Sequence, residues 1–177
     1  SNRIMSFAED SKGTIWIGSF LSGLYSYDPK TANITHHQEE TLTQLYINSK
    51  NIRKVLVDHN DNIWLGTRSG LFKLNYTNTA SPTVESFNEL MTDNFGNGIQ
   101  FNVITTVFED NQKNIWVGTD GYGLCKINPS KNEITWFNSK DNFIQQSVVS
   151  ITQTQKNNIW FAGNNGITKL DVEKNVF

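Results

Sequence analysis

Apolar and polar residues alternate along this chain in short runs, such as "IRKVLVD" at 52–58 and "VITTVFED" at 103–110. Alternation with a period of two predicts half-buried β-strands. The runs recur in a fixed order. An alternating strand leads into an acidic turn, "EDSKG" at 9–13, "DHNDN" at 58–62 or "EDNQKN" at 109–114. An Ile-Trp-apolar strand follows, then a glycine-containing turn, then a second apolar strand: "GLYSY", "GLFKL", "GLCKI" or "GITKL". Asp28-Pro29, Asn75 or Asn128-Pro129 breaks that strand, and a short segment, "ITHH", "TVESF" or "ITWF", ends the unit. No stretch carries an apolar period of helical length.

Four copies of this unit are readable, with Trp16, Trp64, Trp116 and Trp160 in register at intervals of 48, 52 and 44 residues. Ile4, Ile52, Ile104 and Val148 stand twelve residues before each Trp, and Phe7, Val55, Val107 and Ile151 nine before. Self-similarity at this period points to a solenoid or a propeller. Four short antiparallel strands per unit select the propeller, because horseshoe and helical repeats need a helix in each unit. The predicted class is all-β: about four blades, each a four-stranded antiparallel sheet. The expected divisions are 3–50, 51–101, 102–146 and 147–177, the last with an incomplete final strand.

A lone sheet of this kind cannot bury both faces, so stacked blades must bury each other. The repeated tryptophans are expected to pack between blades. Gly18, Gly66 and Gly118, two residues after them, are expected to admit a close neighbour or mark a bulge.

Composition narrows the function. The 177 residues are 37% hydrophobic and 18% charged, with a net charge of −2 and a pI near 5.9, a balance suited to a globular domain and unsuited to nucleic acid. No apolar run reaches the length of a membrane-spanning helix, and Ser1-Asn2-Arg3 leads straight into the first strand with no signal sequence. One cysteine, Cys125, excludes an internal disulfide and occupies the strand slot of Tyr25, Phe72 and Thr168, which makes it a packing residue. His36 and His37 are adjacent in a strand and point to opposite faces, a solvated arrangement that makes no zinc site. Asp58 to Asn62 lacks the sixth-position glycine of a calcium loop and has Ser69 where the bidentate glutamate belongs, so it reads as a turn. Neither cofactor nor metal is expected, and no catalytic triad is readable. The Glu-Asp pairs, Glu9-Asp10 and Glu109-Asp110, recur with the unit and read as turn caps.

Strand polarity puts the turn between the second and third strands of a blade on the same rim as the links between blades. Phe20, Arg68, Asp120, Tyr122, Asn164 and Asn165 therefore share a rim with linkers 38–51, 88–102 and 138–147, which hold Tyr46, Phe95, Phe101 and Phe143. Aromatic faces beside Asn, Asp and Arg suit sugar hydroxyls and uronate carboxylates, so these residues are the candidate ligand-binding set.

The pattern of apolar strand, Glu-Asp, turn, Ile-Trp-apolar-Gly-Thr and Gly-Leu resembles the two-component regulator propeller repeat. Glu9-Asp10, Asp58, Glu109-Asp110, Ile15-Trp16, Ile63-Trp64, Ile115-Trp116, Ile159-Trp160, Gly66-Thr67 and Gly118-Thr119 carry the resemblance, and Thr154 and Ala162 depart from it in the fourth copy. The resemblance implies the periplasmic sensor region of a hybrid two-component system, part of an inner-membrane protein. Its propellers, seven-bladed, would sense a ligand, often an oligosaccharide, and signal to a histidine kinase and response regulator. No kinase motif stands in this chain. It is expected to be an excerpt of a larger propeller whose open edges invite self-association, such as a homodimer, or else to close as a strained four-bladed ring. A propeller lyase or hydrolase and a protein-interaction scaffold are the alternatives in function.

Overall fold

The computed structural model of the chain describes residues 3–37, 50–76, 82–87, 103–137, 141–154, 158–172, 174 and 176–177. Its strands form four antiparallel sheets, each running in chain order. The first sheet holds β1 (Ile4–Glu9), β2 (Ile15–Ser19), β3 (Leu24–Asp28) and β4 (Asn33–His37). The second holds β5 (Ile52–Val57), β6 (Asn62–Thr67), β7 (Gly70–Asn75) and β8 (Thr83–Ser86). The third holds β9 (Ile104–Glu109), β10 (Ile115–Thr119), β11 (Leu124–Asn128) and β12 (Glu133–Phe137). The fourth has three strands, β13 (Val148–Gln153), β14 (Ile159–Gly163) and β15 (Gly166–Leu170), and beyond it Asp171 bridges to Val176.

The opening strand of every sheet carries the same irregularity. Pairing slips by one residue between Ile4 and Ser6, Ile52 and Lys54, Ile104 and Thr106, and Val148 and Ser150. Residues three apart in a regular strand face opposite ways, but one bulged residue between them returns both to one face. Ile52 with Val55, Ile104 with Val107, and Val148 with Ile151 accordingly enter the same core clusters.

The sheets stack through these opening strands. β5 lies against β1 and β2, β9 against β5 and β6, and β13 against β9 and β10. Three cores fill the three gaps. Trp16 and Leu24 of the first sheet meet Ile52, Val55, Leu65 and Phe72 of the second. Trp64 and Leu71 meet Ile104, Val107, Val117 and Cys125, and Trp116 and Leu124 meet Val148, Ile151 and Phe161. The tryptophans of the first three sheets are thus covered by the sheet that follows. Gly18, Gly66 and Gly118 make the approach possible. A Cβ would stand 2.7 Å from an Ile52 methyl at Gly18, 2.7 Å from an Ile104 methyl at Gly66, and 2.8 Å from the Val148 carbonyl oxygen at Gly118.

Trp160 departs from the inter-blade role expected of it. It is 37% exposed, with Ile167 beside it on an open face, because no described sheet follows the fourth. Ala162, where the other copies have glycine, has no following sheet against it either. At the other end Ile4, Phe7 and Ile34 of the first sheet are exposed. Among the described residues the end sheets do not cover each other, and no four-bladed closure is seen.

Each buried indole is also held by the acidic turn. Trp16, Trp64 and Trp116 donate their Nε1–H to Asp10, Asp58 and Asp110 at 3.0, 2.8 and 2.8 Å. The other carboxylate oxygen accepts two turn N–H groups, Lys12 and Thr14 at Asp10, Asn60 and Asn62 at Asp58, Gln112 and Asn114 at Asp110. One side chain therefore ties the turn to the core, which satisfies polar groups that burial would otherwise leave costly. Thr154 keeps the backbone turn, with its N–H on the Asn158 carbonyl, but supplies no carboxylate to Trp160.

The next residue of each turn reaches the following sheet. Ser11 N–H donates to Asp61, His59 N–H to Glu109, and Asn111 N–H to Gln153. Val57 fills the slot of Glu109 and Gln153 in the second sheet, and Asp61 supplies the acceptor instead. The Ser11 hydroxyl and N–H hold the Asp61 carboxyl below its ordinary range.

Candidate functional site

The six rim residues lie on four separate turns. Phe20 follows β2, and its N–H donates to the Arg3 carbonyl while the Arg3 guanidinium lies 5.8 Å from its ring centroid. Arg68 follows β6 with an exposed side chain and an N–H on the Asn51 carbonyl. Asp120 and Tyr122 follow β10, and Tyr122 is 50% exposed. Asn164 and Asn165 sit between β14 and β15.

The structure brings three of the six together. Asp120 Oδ1 accepts the Ser147 hydroxyl proton at 2.8 Å, and Asn164 Oδ1 accepts the Ser147 N–H at 3.1 Å. Asn165 donates its side-chain amide to the Ile144 carbonyl at 2.7 Å and its N–H to Gln145 Oε1 at 2.8 Å. The segment 144–147 is therefore pinned between the turns of the third and fourth sheets, with Asp120, Asn164 and Asn165 as its clamps. Tyr122 stands in the same turn as Asp120. Phe20 and Arg68 belong to the first and second sheets, apart from this group. Exposed polar groups beside an aromatic ring can hold a hydroxylated ligand by hydrogen bonds and ring contact.

Two sequence readings need correction here. Phe143, counted among the rim aromatics, is buried in the third core, edge-on to Phe161 at 5.6 Å and 5.0 Å from Phe177. The linker folds its ring inward because the Trp116–Phe161 gap offers an apolar seat. His37, read as solvated, is 6% exposed and stacks on Trp16 at 5.1 Å, in the place that Phe87 and Phe137 take on Trp64 and Trp116. Burial, with a smaller push from neighbouring His36, drives its pKa down to about 4. His36 stays exposed and stacks on Tyr25 at 4.2 Å. Tyr46, Phe95 and Phe101 lie outside the described residues.

Other candidates settle as structural. Cys125 is fully buried, and burial pushes its thiol well above the ordinary range. No group of three or more His, Cys, Asp or Glu stands in metal-binding reach among the described residues. The sequence reading missed Ser147 and Gln145, which carry the clamp. It also missed the indole–carboxylate bond, although a constant spacing of six from Asp10, Asp58 and Asp110 to the tryptophans marks it.

The model of the two-component regulator propeller matches residues 1–20, 46–69 and 98–121, each segment spanning an opening strand, its acidic turn and its Ile-Trp strand. The chain carries two-component regulator propeller repeats. It is 28% identical over 94% of its length to histidine kinase P4 of Formosa agariphila, and it spans 15% of that protein. Two solved structures from B. thetaiotaomicron share the fold. One is the extracellular domain of a protein assigned to the hybrid two-component systems, at 24% identity and a TM-score of 0.75, over 96% of this chain and 22% of that one. The other, similarly assigned, is 19% identical with a TM-score of 0.76, over 96% of this chain and 21% of that one.

Proposed function

We propose that this chain is an extracytoplasmic, ligand-sensing propeller segment of a hybrid two-component receptor. The observation that carries the reading is the propeller repeat in a chain that aligns along 94% of its length with part of a histidine kinase. The segment is periplasmic, belongs to an inner-membrane protein, and has no catalysis of its own. The stretches 3–50, 51–101, 102–146 and 147–177 are successive blades of a larger ring, seven-bladed in the reading from the repeat family.

The ligand is an oligosaccharide held at the rim by Arg68, Asp120, Tyr122, Phe20, Asn164 and Asn165. A ligand acts on such a sensor only through its differential affinity for two packings of the ring. The pinned segment 144–147 supports this, because its clamps come from two sheets and a ligand seated there would bias their spacing. A thermal-shift screen against uncharged and uronate-bearing oligosaccharides tests the reading. One sugar should raise the melting temperature without being consumed, and Arg68→Ala or Tyr122→Ala should remove the shift. Turnover of the sugar would replace sensing with catalysis.

The open faces at Ile4, Phe7, Trp160 and Ile167 give the isolated chain a tendency to self-associate, with a second copy in place of the missing neighbours. Light scattering at micromolar concentration should give a mass above that of one chain; a clean monomer would refute it.

A further inference from the structure

A lysine stands beside the indole in three of the four sheets, and the exception coincides with a cleft. Across the middle strands Trp64 pairs with Lys73, Trp116 with Lys126 and Trp160 with Lys169, whereas Trp16 pairs with Ser26. The Lys73 ammonium lies 5.7 Å from the Trp64 ring centroid, and the Lys126 ammonium 5.4 Å from that of Trp116. An ammonium over an indole is attracted by the negative face of the ring. Ser26 is too short to make that contact and instead bonds His37 Nε2 at 2.9 Å.

Among the described residues the space is left open. A cleft of about 200 Å³ lies between the first and second sheets, walled by Trp16, Tyr76, Asp10, Thr14, Ser26 and Asp61. The neighbouring cleft between the second and third sheets is lined by Lys73 and not by Trp64. The chain sets its own lysine over one indole, whereas among the described residues Trp16, stacked on His37 and edge-on to Tyr76, has no cation over its ring. The charge agrees. Asp10 and Asp61 put two carboxylates on the wall against the single cation of Lys12. The indole Nε1–H on Oδ2 and two backbone N–H groups on Oδ1 leave Asp10 about one acceptor site, on Oδ2.

We propose that this cleft is a binding site for a primary alkylammonium group. The ligand's ammonium takes the position over Trp16 that Lys73 and Lys126 take over their indoles, and its carbon stem lies against Tyr76. The site is on the side of the acidic turns, away from the rim residues, and does not depend on the sensing function.

The test uses the ¹H–¹⁵N signals of the indole Nε1–H groups in the whole chain. Millimolar n-butylammonium should shift the Trp16 signal and leave those of Trp64 and Trp116 in place. The neutral isostere n-butanol should do nothing. Ser26→Lys, with spectral dispersion retained, should abolish the shift by filling the cleft, and Asp61→Asn should weaken binding severalfold. Glucosamine run against N-acetylglucosamine separates the sources of the amine. A shift by the free amine extends the site to amino sugars, and silence there with butylammonium active assigns a lysine-like side chain. The proposal falls if butylammonium leaves Trp16 unmoved or if butanol shifts it equally. A shift seen only in Lys12→Ala would also overturn it, since the chain's own Lys12 would then be the occupant.

Discussion

Four tryptophans at equivalent positions are not equivalent in energy. Trp64 is buried, bonded to Asp58 and covered by the third sheet, while Trp160 is 37% exposed and has no carboxylate partner. Trp64→Ala should cost about 3–5 kcal/mol, and Trp160→Ala about 1 kcal/mol or less, read as shifts of the urea midpoint. A second residue-scale contrast lies in the β3–β4 and β11–β12 turns. Ala32 and Asn132 hold the same left-handed backbone, at φ 56° and 54°. Asn adopts that region at lower cost than Ala, so Ala32→Asn should stabilise by about 0.5–1 kcal/mol in the same assay. At this scale the sequence showed which residues repeat but not what each touches. His37 stands as far from Trp16 as Phe137 does from Trp116, so its buried slot was legible in the spacing. Polarity pointed the other way, and packing against the indole prevailed.

The recurring element is an opening strand with one bulged residue, and its glycine contact sets how closely sheets approach. A methyl at Gly66 would meet the Cγ2 methyl of buried Ile104 at 2.7 Å, a side-chain atom that yields only by crowding its core. One at Gly118 would meet the Val148 backbone oxygen at 2.8 Å, which cannot move without its strand. Both substitutions should destabilise by about 1–3 kcal/mol, Gly118→Ala more than Gly66→Ala, measured by thermal or urea unfolding. Strand order and the repeat were readable from alternation and the tryptophan register. The bulge was not. Ile52 and Val55, three apart, would face opposite ways in a regular strand, and a pattern of apolar positions does not say where one residue is skipped. The linkers were the least legible part, because nothing in Phe143's neighbours in sequence tells whether its ring is offered to a ligand or pushed into the third core.

For the whole molecule, stability falls on the acid side for an identifiable reason. His37 has a folded pKa of about 4, below its unfolded value of 6.5, so the folded state favours the neutral ring. Its contribution is complete above pH 6.5 and is lost as the pH falls from there through 4. Allowing for solvent screening, the loss is on the order of 2 kcal/mol. Asp61, with its pKa lowered chiefly by the Ser11 hydroxyl, adds a loss of the same sign at still lower pH. Melting temperatures between pH 7 and pH 4 should drop, and His37→Phe, which restores the residue type of Phe87 and Phe137, should flatten the drop. An unchanged slope in that variant would remove His37 as the cause. Stacking of the sheets was foreseeable from their oily faces. The open arc was foreseeable only as one of two closures, because sequence gives the faces and not the angle between them.

The one-way covering of the indoles also has a consequence in time. Trp16, Trp64 and Trp116 each wait for residues 32 to 61 positions downstream before they leave water. At a synthesis rate of about 5–20 residues per second that wait is roughly 2–12 seconds. The nascent chain therefore always trails one unsheltered ring at its growing end, and that ring passes from blade to blade as translation proceeds.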